Sequence, residues 1–154
     1  MKQSIALLFA LLMYSVLFAQ SQTLVQDKEN LFTTEETNLI DSLLQAYRNK
    51  SGNLVVVYTD TSDISAEGFA ASVQMRYGSP ATDGYYSFIL LMSRKNSLLF
   101  ASVNSHTLPF VNDQLLLGLL EPGFQSLKEK RRAEGVTRIC MKAIEFLEQL
   151  PKKQ

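Results

Sequence analysis

The chain has 154 residues, a length that fits one domain with one hydrophobic core, and its 15 basic and 15 acidic side chains give a formal net charge of zero. This balance argues against a protein that binds nucleic acid through its phosphates, because such proteins carry a clustered basic excess. Cys140 is the only cysteine, which excludes an internal disulfide and leaves zinc, haem and iron–sulfur centres unsupported.

The N-terminal segment "MKQSIALLFALLMYSVLFAQ" predicts a secretory signal peptide over residues 1–19. Lys2 forms a short basic region, an apolar run follows, and small Ala19 permits cleavage before Gln20. The alternative is an uncleaved membrane anchor, although the apolar run is shorter than the roughly 20 residues of a spanning helix. We therefore expect a periplasmic or secreted domain over residues 20–154, with no membrane span in the mature chain.

The next segment, "TTEETNLIDSLLQAYRNKSGN", predicts an amphipathic helix. Thr33 precedes Glu36 by three residues, the spacing of a capping box, and Gly52 supplies a stop. Apolar residues recur at helical spacing between these ends. They are Leu39, Ile40, Leu43, Leu44 and Tyr47.

Three short apolar runs predict strands. "NLVVVYTD" is too brief for a helix and is rich in β-branched residues, so residues 54–59 should form a buried central strand. "YYSFILLMS" and "SLLFASVN" are separated by a short polar connection, which predicts a hairpin of strands 85–92 and 97–103. Between the first run and the hairpin, a second helix is predicted from Ser65 to Gly78.

The C-terminal third predicts helices. Asn112 or Asp113 can cap a short helix that ends at Leu120, Pro122 and Gly123 should interrupt it, and a further helical pattern follows. The last helix is predicted over 133–150, with an apolar face that includes Cys140 as a buried small hydrophobe. The basic run "KEKRRAEGVTR" is interpreted as a solvated helix face.

This order of elements predicts an α/β fold, a three-layer α/β/α sandwich with a small mixed sheet of about four strands. A strand–helix–strand unit prefers a right-handed parallel crossover, so strands 54–59 and 85–92 should be parallel, with strand 97–103 reversed.

Under this topology several oxygen-bearing residues gather at one end of the sheet: Asp83, Asn104, Ser105, His106 and Asp113. Oxygen ligands of this kind suit calcium. The alternative is purely structural, with Asp83 and Gly84 forming a turn, Asn104 ending a strand and Asp113 capping a helix. At the other end, Asp60 and Asp63 lie beside Arg94 and Lys95, but no phosphate cradle or nucleophile–base pair is recognisable there.

The segments "LVQDKENLFTTEETNLIDSLL", "NLVVVYTDTS" and "RYGSPATDGYYSFILLMS" together resemble the TPM domain family. The resemblance covers roughly Leu24 to Ile144 and rests on the order and spacing of the segments. It implies an extracytoplasmic α/β sandwich with an acidic loop site, since some members bind calcium and a plant lumenal member tied to photosystem repair has a proposed acid-phosphatase activity.

Within this resemblance, Asp83 matches the family's Asp-Gly position and Asp113 an acidic position after the third strand. The chain departs from the family where it reads "SVNSHTLPFVND", because many members have a glycine-rich turn and a glutamate there. The missing carboxylate weakens the expectation of both metal binding and hydrolysis.

We therefore expect a monomeric, exported, non-enzymatic binding or interaction domain of the cell envelope, with an envelope protein as its partner and no nucleic acid. Calcium is the expected cofactor, with Asp83, Asn104 and Asp113 as its ligands. The alternative is a weak acid-phosphatase-like phosphomonoesterase, in which the metal polarises a phosphoryl oxygen.

Overall fold

A computed structural model of the chain describes residues 23–60, 85–94 and 97–151, together with Gly68 and Ala71. The predicted signal peptide lies outside the described residues, as does the proposed ligand Asp83. Most of the helix predicted from Ser65 to Gly78 also lies outside them; Gly68 and Ala71 are helical and exposed.

The described strands form one four-stranded mixed sheet in the order β1-β2-β3-β4. Strands β1, β2 and β3 are parallel, and β4 pairs with β3 in the antiparallel sense. The predicted α/β class, the parallel pair and the hairpin are therefore confirmed. The strands are β1 (Val25–Asp27), β2 (Leu54–Thr59), β3 (Ser87–Ser93) and β4 (Leu98–Val103).

The two central strands carry the core. Every residue of β2 and β3 is buried, as expected of near-continuous apolar strands that are covered on both faces. Their register pairs Val56 with Ile89 and Val57 with Leu90. The three parallel strands also place their carboxyl ends at one edge of the sheet, and β4 begins at that same edge.

The edge strand β1 was not among the predicted elements. It has only three residues, and two of them, Gln26 and Asp27, are polar. Two contacts position this strand: its pairing with β2 and hydrogen bonds to the Asp41 carboxylate. Oδ1 of Asp41 accepts from the backbone N–H groups of Leu24 (2.6 Å) and Val25 (3.1 Å).

Helix α1 (Thr34–Ser51) connects β1 to β2 and confirms its predicted ends. The Thr33 hydroxyl accepts from the Glu36 N–H and the Glu36 carboxylate accepts from the Thr33 N–H, which is a capping box. Gly52 ends the helix in the left-handed region, at a φ of 74°. Ile40, Leu44 and Tyr47 are buried on its inner face.

Helix α2 (Asp113–Lys128) corrects the prediction that Pro122 and Gly123 interrupt the chain's helical path. Pro122 lies inside one continuous helix, and Asn112 is its N-cap. Pro122 has no N–H, so the hydrogen bond to the carbonyl of Gly118 one turn earlier is missing. Burial of Leu119, Leu120 and their neighbours against the rest of the domain outweighs that loss.

Helix α3 (Arg132–Gln149) follows a short turn and packs closely on α2. A Cβ added at Gly123 would lie 2.6 Å from the carbonyl oxygen of Gly135 and 2.6 Å from Cδ1 of Ile139. The two helices therefore approach each other through glycine. The predicted apolar face is confirmed, since Val136, Ile139, Cys140, Ala143 and Leu147 are buried.

A single 3₁₀ turn, Leu108–Phe110, links β4 to α2. Among the helices that the structure describes, none is both long enough and apolar enough to cross a bilayer.

Candidate ligand-binding site

The amino edge of the sheet, where β3 begins and β4 ends, contains Asn104, one of the proposed calcium ligands. Its side chain is buried and hydrogen-bonded on both sides. The amide donates to the carbonyl of Tyr85 (2.9 Å), and Oδ1 accepts from the N–H (3.0 Å) and the hydroxyl (2.8 Å) of Thr107. The Thr107 hydroxyl in turn accepts from the N–H of Ser87. Asn104 thus closes the loop after β4 onto the start of β3.

The other proposed ligands have different surroundings. Asp113 is exposed in the first turn of α2, where its charge complements the helix dipole. Asp83 lies outside the described residues. His106 is half-buried in the turn after β4. Within the described part of the chain, no group of three or more histidine, cysteine, aspartate or glutamate side chains is arranged to hold a metal ion. Calcium coordination by Asp83, Asn104 and Asp113 stays a prediction.

The carboxyl edge of the sheet is held by a chain of hydrogen bonds from β1 to β3. The Thr59 hydroxyl donates to Asp27 (2.6 Å) and accepts from the Glu29 N–H (3.1 Å). The Glu29 carboxylate then accepts from the Ser93 hydroxyl (2.8 Å) and the Arg94 N–H (2.9 Å). These carboxylates fix the loop after β1 over the ends of β2 and β3.

Lys28 adds an ion pair to this edge. Its Nζ lies 3.1 Å from Asp60 Oδ2 and 5.0 Å from the centroid of the Tyr58 ring. Hydrogen bonding to Tyr58, and secondly to Asp60, raises the pKa of the Lys28 ammonium. The ammonium is largely exposed, so this pair orders the edge but adds little to stability.

Beside these carboxylates lies a cavity of about 680 Å³, which we call the carboxyl-edge cavity. It is formed where the β3–β4 hairpin meets the last turns of α2 and the first turn of α3. Six of its lining residues are apolar: Leu31, Met92, Leu98, Leu99, Phe124 and Leu127. Leu31 and Met92 are buried, whereas Phe124 is 36% exposed. The cavity is therefore an apolar hollow that opens onto the surface.

The polar lining of the cavity is cationic. Arg94 follows β3, Lys128 ends α2 and Arg132 begins α3, so three separate elements each contribute one positive charge. Ser93 and Ser97 are the other polar lining residues, and the lining formed by the described residues contains no carboxylate. An apolar hollow with a few converging polar groups is the usual form of a small-molecule site.

The other arginines of the basic run are neutralised by acidic neighbours. Arg131 pairs with Glu129 and with Glu134, and Arg138 pairs with Glu134 at 2.7 Å. The hydrogen bond from Arg131 lowers the pKa of the Glu129 carboxyl and that of the Glu134 carboxyl. The interpretation of this run as a solvated helix face therefore holds for Arg131 and Arg138, but Lys128 and Arg132 line the cavity.

Cys140 is not a candidate nucleophile. Its thiol is buried in the apolar face of α3, and that burial raises its pKa from 9.0 to about 12. It is protonated at neutral pH and shielded from solvent, which suits a core residue.

Sequence reasoning did not identify the carboxyl-edge cavity. It placed Arg94 at the hairpin and Lys128 in the basic run, but nothing in the local pattern brings these two together. Two features of the sequence together could have indicated the cavity. One is the polar hairpin turn at the carboxyl edge of the sheet, and the other is a helix end that carries both Phe124 and Lys128.

No protein-family model and no curated protein matches the chain. Several solved structures match the chain. The NMR structure of the BA42 protein from the psychrophilic bacterium Bizionia argentinensis is similar with a TM-score of 0.68 and 16% identity, over 82% of this chain and 89% of that one. The N-terminal domain of a protein from P. gingivalis gives a TM-score of 0.69 at 16% identity, over 88% and 91% of the two chains.

The N-terminal domain of a protein from Corynebacterium glutamicum gives a TM-score of 0.61 at 11% identity, over 88% of this chain and 90% of that one. At these identities the similarity establishes the fold alone. The chain therefore shares a small bacterial α/β fold with these three domains.

Proposed function

We propose that the chain is an exported, non-enzymatic binding domain of the cell envelope, of the TPM type, and that the carboxyl-edge cavity is its binding site. The observation that carries this proposal is the cavity itself, with about 680 Å³ of space, apolar walls and a polar rim. Its volume falls within the roughly 300–1,000 Å³ of ordinary small-ligand pockets.

The position of the cavity supports a binding role. Ligands of open α/β sheets generally bind beyond the carboxyl ends of the parallel strands, and here the end of β3 forms one wall. The hydrogen bonds of Glu29 to Ser93 and Arg94 fix that wall. A site whose backbone is already fixed loses little conformational entropy on binding.

Calcium belongs to the same proposal as a stabilising ion rather than a reactant. The described residues fit it only in part, because Asn104 Oδ1 already accepts two hydrogen bonds and would have to give them up to bind a cation. Asp113 is exposed and accessible. Melting the purified domain with millimolar calcium and with chelator tests the idea, and an unchanged melting temperature would remove calcium from the proposal.

The binding role is tested by mapping amide chemical shifts during titration with decyl compounds that are anionic, cationic or uncharged. We expect at least one of them to shift the amides of residues 92–94, 97–99 and 124–132. Phe124→Gln should remove most of this response, whereas Leu117→Gln should keep it. Both residues are exposed apolar positions of α2, but Leu117 lies outside the cavity lining.

Two results would refute the binding role. One is a response that is spread over the surface rather than centred on the cavity. The other is an equal loss of response in both variants. A phosphomonoester assay on the same samples covers the enzymatic alternative, since turnover that is lost in Asp83→Ala would favour the phosphatase.

A further inference from the structure

The three cations of the carboxyl-edge cavity indicate which class of ligand it would take. We propose that the cavity binds a small amphiphilic anion, with its carboxylate or phosphate head group among Arg94, Lys128 and Arg132 and its hydrocarbon part against the apolar walls. This inference rests on the proposed function and specifies its ligand.

The first argument is charge. Within the described residues, none of these three side chains forms an ion pair, although the adjacent Arg131 and Arg138 do. Three cations that line one hollow make it electropositive, and an anion is the ligand whose charge complements it.

The neighbouring carboxylate of Glu29 does not supply this anion. Glu29 contacts two lining residues, but its Oε1 accepts from the Ser93 hydroxyl and its Oε2 from the Arg94 N–H. Both carboxylate oxygens are therefore used by the Ser93 hydroxyl and the Arg94 backbone, and the guanidinium of Arg94 forms no ion pair within the described residues. The described part of the lining therefore carries a net positive charge.

The second argument is the apolar wall. A bare inorganic anion would gain little here, because Arg94 and Lys128 are exposed and solvent and salt screen their charges. A hydrocarbon group can cover Phe124, Leu98 and Leu99, which are only partly buried. Each buried CH₂ group contributes about 0.8 kcal/mol of transfer free energy. The apolar part thus supplies affinity and the charge supplies selectivity.

The test is a calorimetric titration of the folded domain with four probes, decanoate and decylammonium below their micelle concentrations, decanol below its solubility limit, and acetate. Decanoate should bind at least tenfold more tightly than decanol and than decylammonium, and acetate should give no heat. Vesicles of anionic phospholipid serve as a separate arm. Binding to vesicles with no binding of free decanoate would overturn the proposal, since it would locate the anion in a membrane surface.

Charge-removing variants locate the head group. Arg94→Gln, Lys128→Gln and Arg132→Gln should each weaken decanoate binding about fivefold, the effect of one rim ion pair. Lys50→Gln removes the same charge from the last turn of α1, where Lys50 pairs with Glu148 outside the lining, and should leave affinity unchanged. Circular dichroism confirms that each variant is folded.

The outcomes separate the two proposals. If decanol binds as tightly as decanoate and Phe124→Gln weakens both, the cavity is a binding site but the inference about charge is wrong. If Lys50→Gln weakens binding as much as Arg132→Gln, the attraction is non-specific and the inference is again wrong. If none of the decyl compounds binds, both proposals fail.

Discussion

Replacing Gly123 by alanine should destabilise the domain, although alanine is the better helix former. The added Cβ would lie 2.6 Å from the carbonyl oxygen of Gly135, which is backbone of α3, and 2.6 Å from Ile139 Cδ1. Ile139 is fully buried. The clash can be relieved only by moving the two helices apart.

The expected size follows from two opposing effects. Overpacking a well-filled core costs about 1–3 kcal/mol, and a clash with backbone belongs at the upper end of that range. Alanine returns about 1 kcal/mol through helix propensity. We therefore expect Gly123→Ala to lower the free energy of unfolding by about 2 kcal/mol. At about 3–4 °C per kcal/mol for a domain of this size, the melting temperature should fall by about 6–8 °C.

Gly118→Ala is the matched control, because it lies in the same helix and an added Cβ there meets no atom within 4 Å. It should raise stability by up to about 1 kcal/mol. Urea unfolding of both variants, followed by circular dichroism, measures the difference. If Gly123→Ala is as stable as Gly118→Ala, the close approach of α2 and α3 is not a constraint and the reasoning is refuted.

Two further predictions concern buried polar and titratable groups. Asn104→Ala removes three hydrogen bonds of a buried side chain, two of them to the buried Thr107, and should cost about 3 kcal/mol in urea unfolding. The exposed N-cap variant Asn112→Ala should cost about 1 kcal/mol. Equal costs would contradict the structural role of Asn104. Burial raises the pKa of the Cys140 thiol from 9.0 to about 12 in the folded state. The contribution of this thiol to the free energy of unfolding is therefore complete below pH 9 and is lost as the pH rises towards 12. A Cys140→Ala variant whose free energy of unfolding declines equally at alkaline pH would contradict this.

The sequence was most informative where one local signal decides the structure. The Thr33 and Glu36 capping box and Gly52 set both ends of α1 correctly, because caps act within a few residues. The strands of the hairpin were predicted from continuous apolar runs, and the parallel pairing of β2 with β3 followed from the handedness of crossovers.

Prediction failed where tertiary contacts override local preference. Pro122 is a strong local signal for a helix end, yet the burial of α2 against α3 keeps the helix intact through it. Strand β1 has no apolar alternation of its own and is held by its pairing with β2 and by Asp41. The carboxyl-edge cavity combines residues that are up to a hundred positions apart, from Leu31 to Arg132, and no local pattern reports such a meeting.

The candidate calcium site was predicted on topology and family resemblance. Topology did bring the end of β4 beside the start of β3, as the pairing of Val103 with Phe88 shows. What it could not reveal is that Asn104 uses both ends of its amide within the protein, since this depends on the position of Thr107 in the following turn.

The Asp41 carboxylate has a consequence for association between copies of the chain. A strand at the edge of a sheet can pair with a strand of another molecule when its N–H groups are unoccupied, and β1 is an edge strand of the described sheet. Asp41 occupies the N–H groups of Leu24 and Val25 from within the same chain. A second molecule that added a strand at β1 would have to displace the Asp41 carboxylate and bury its negative charge at the new interface. This edge of the sheet is therefore protected against edge-to-edge association.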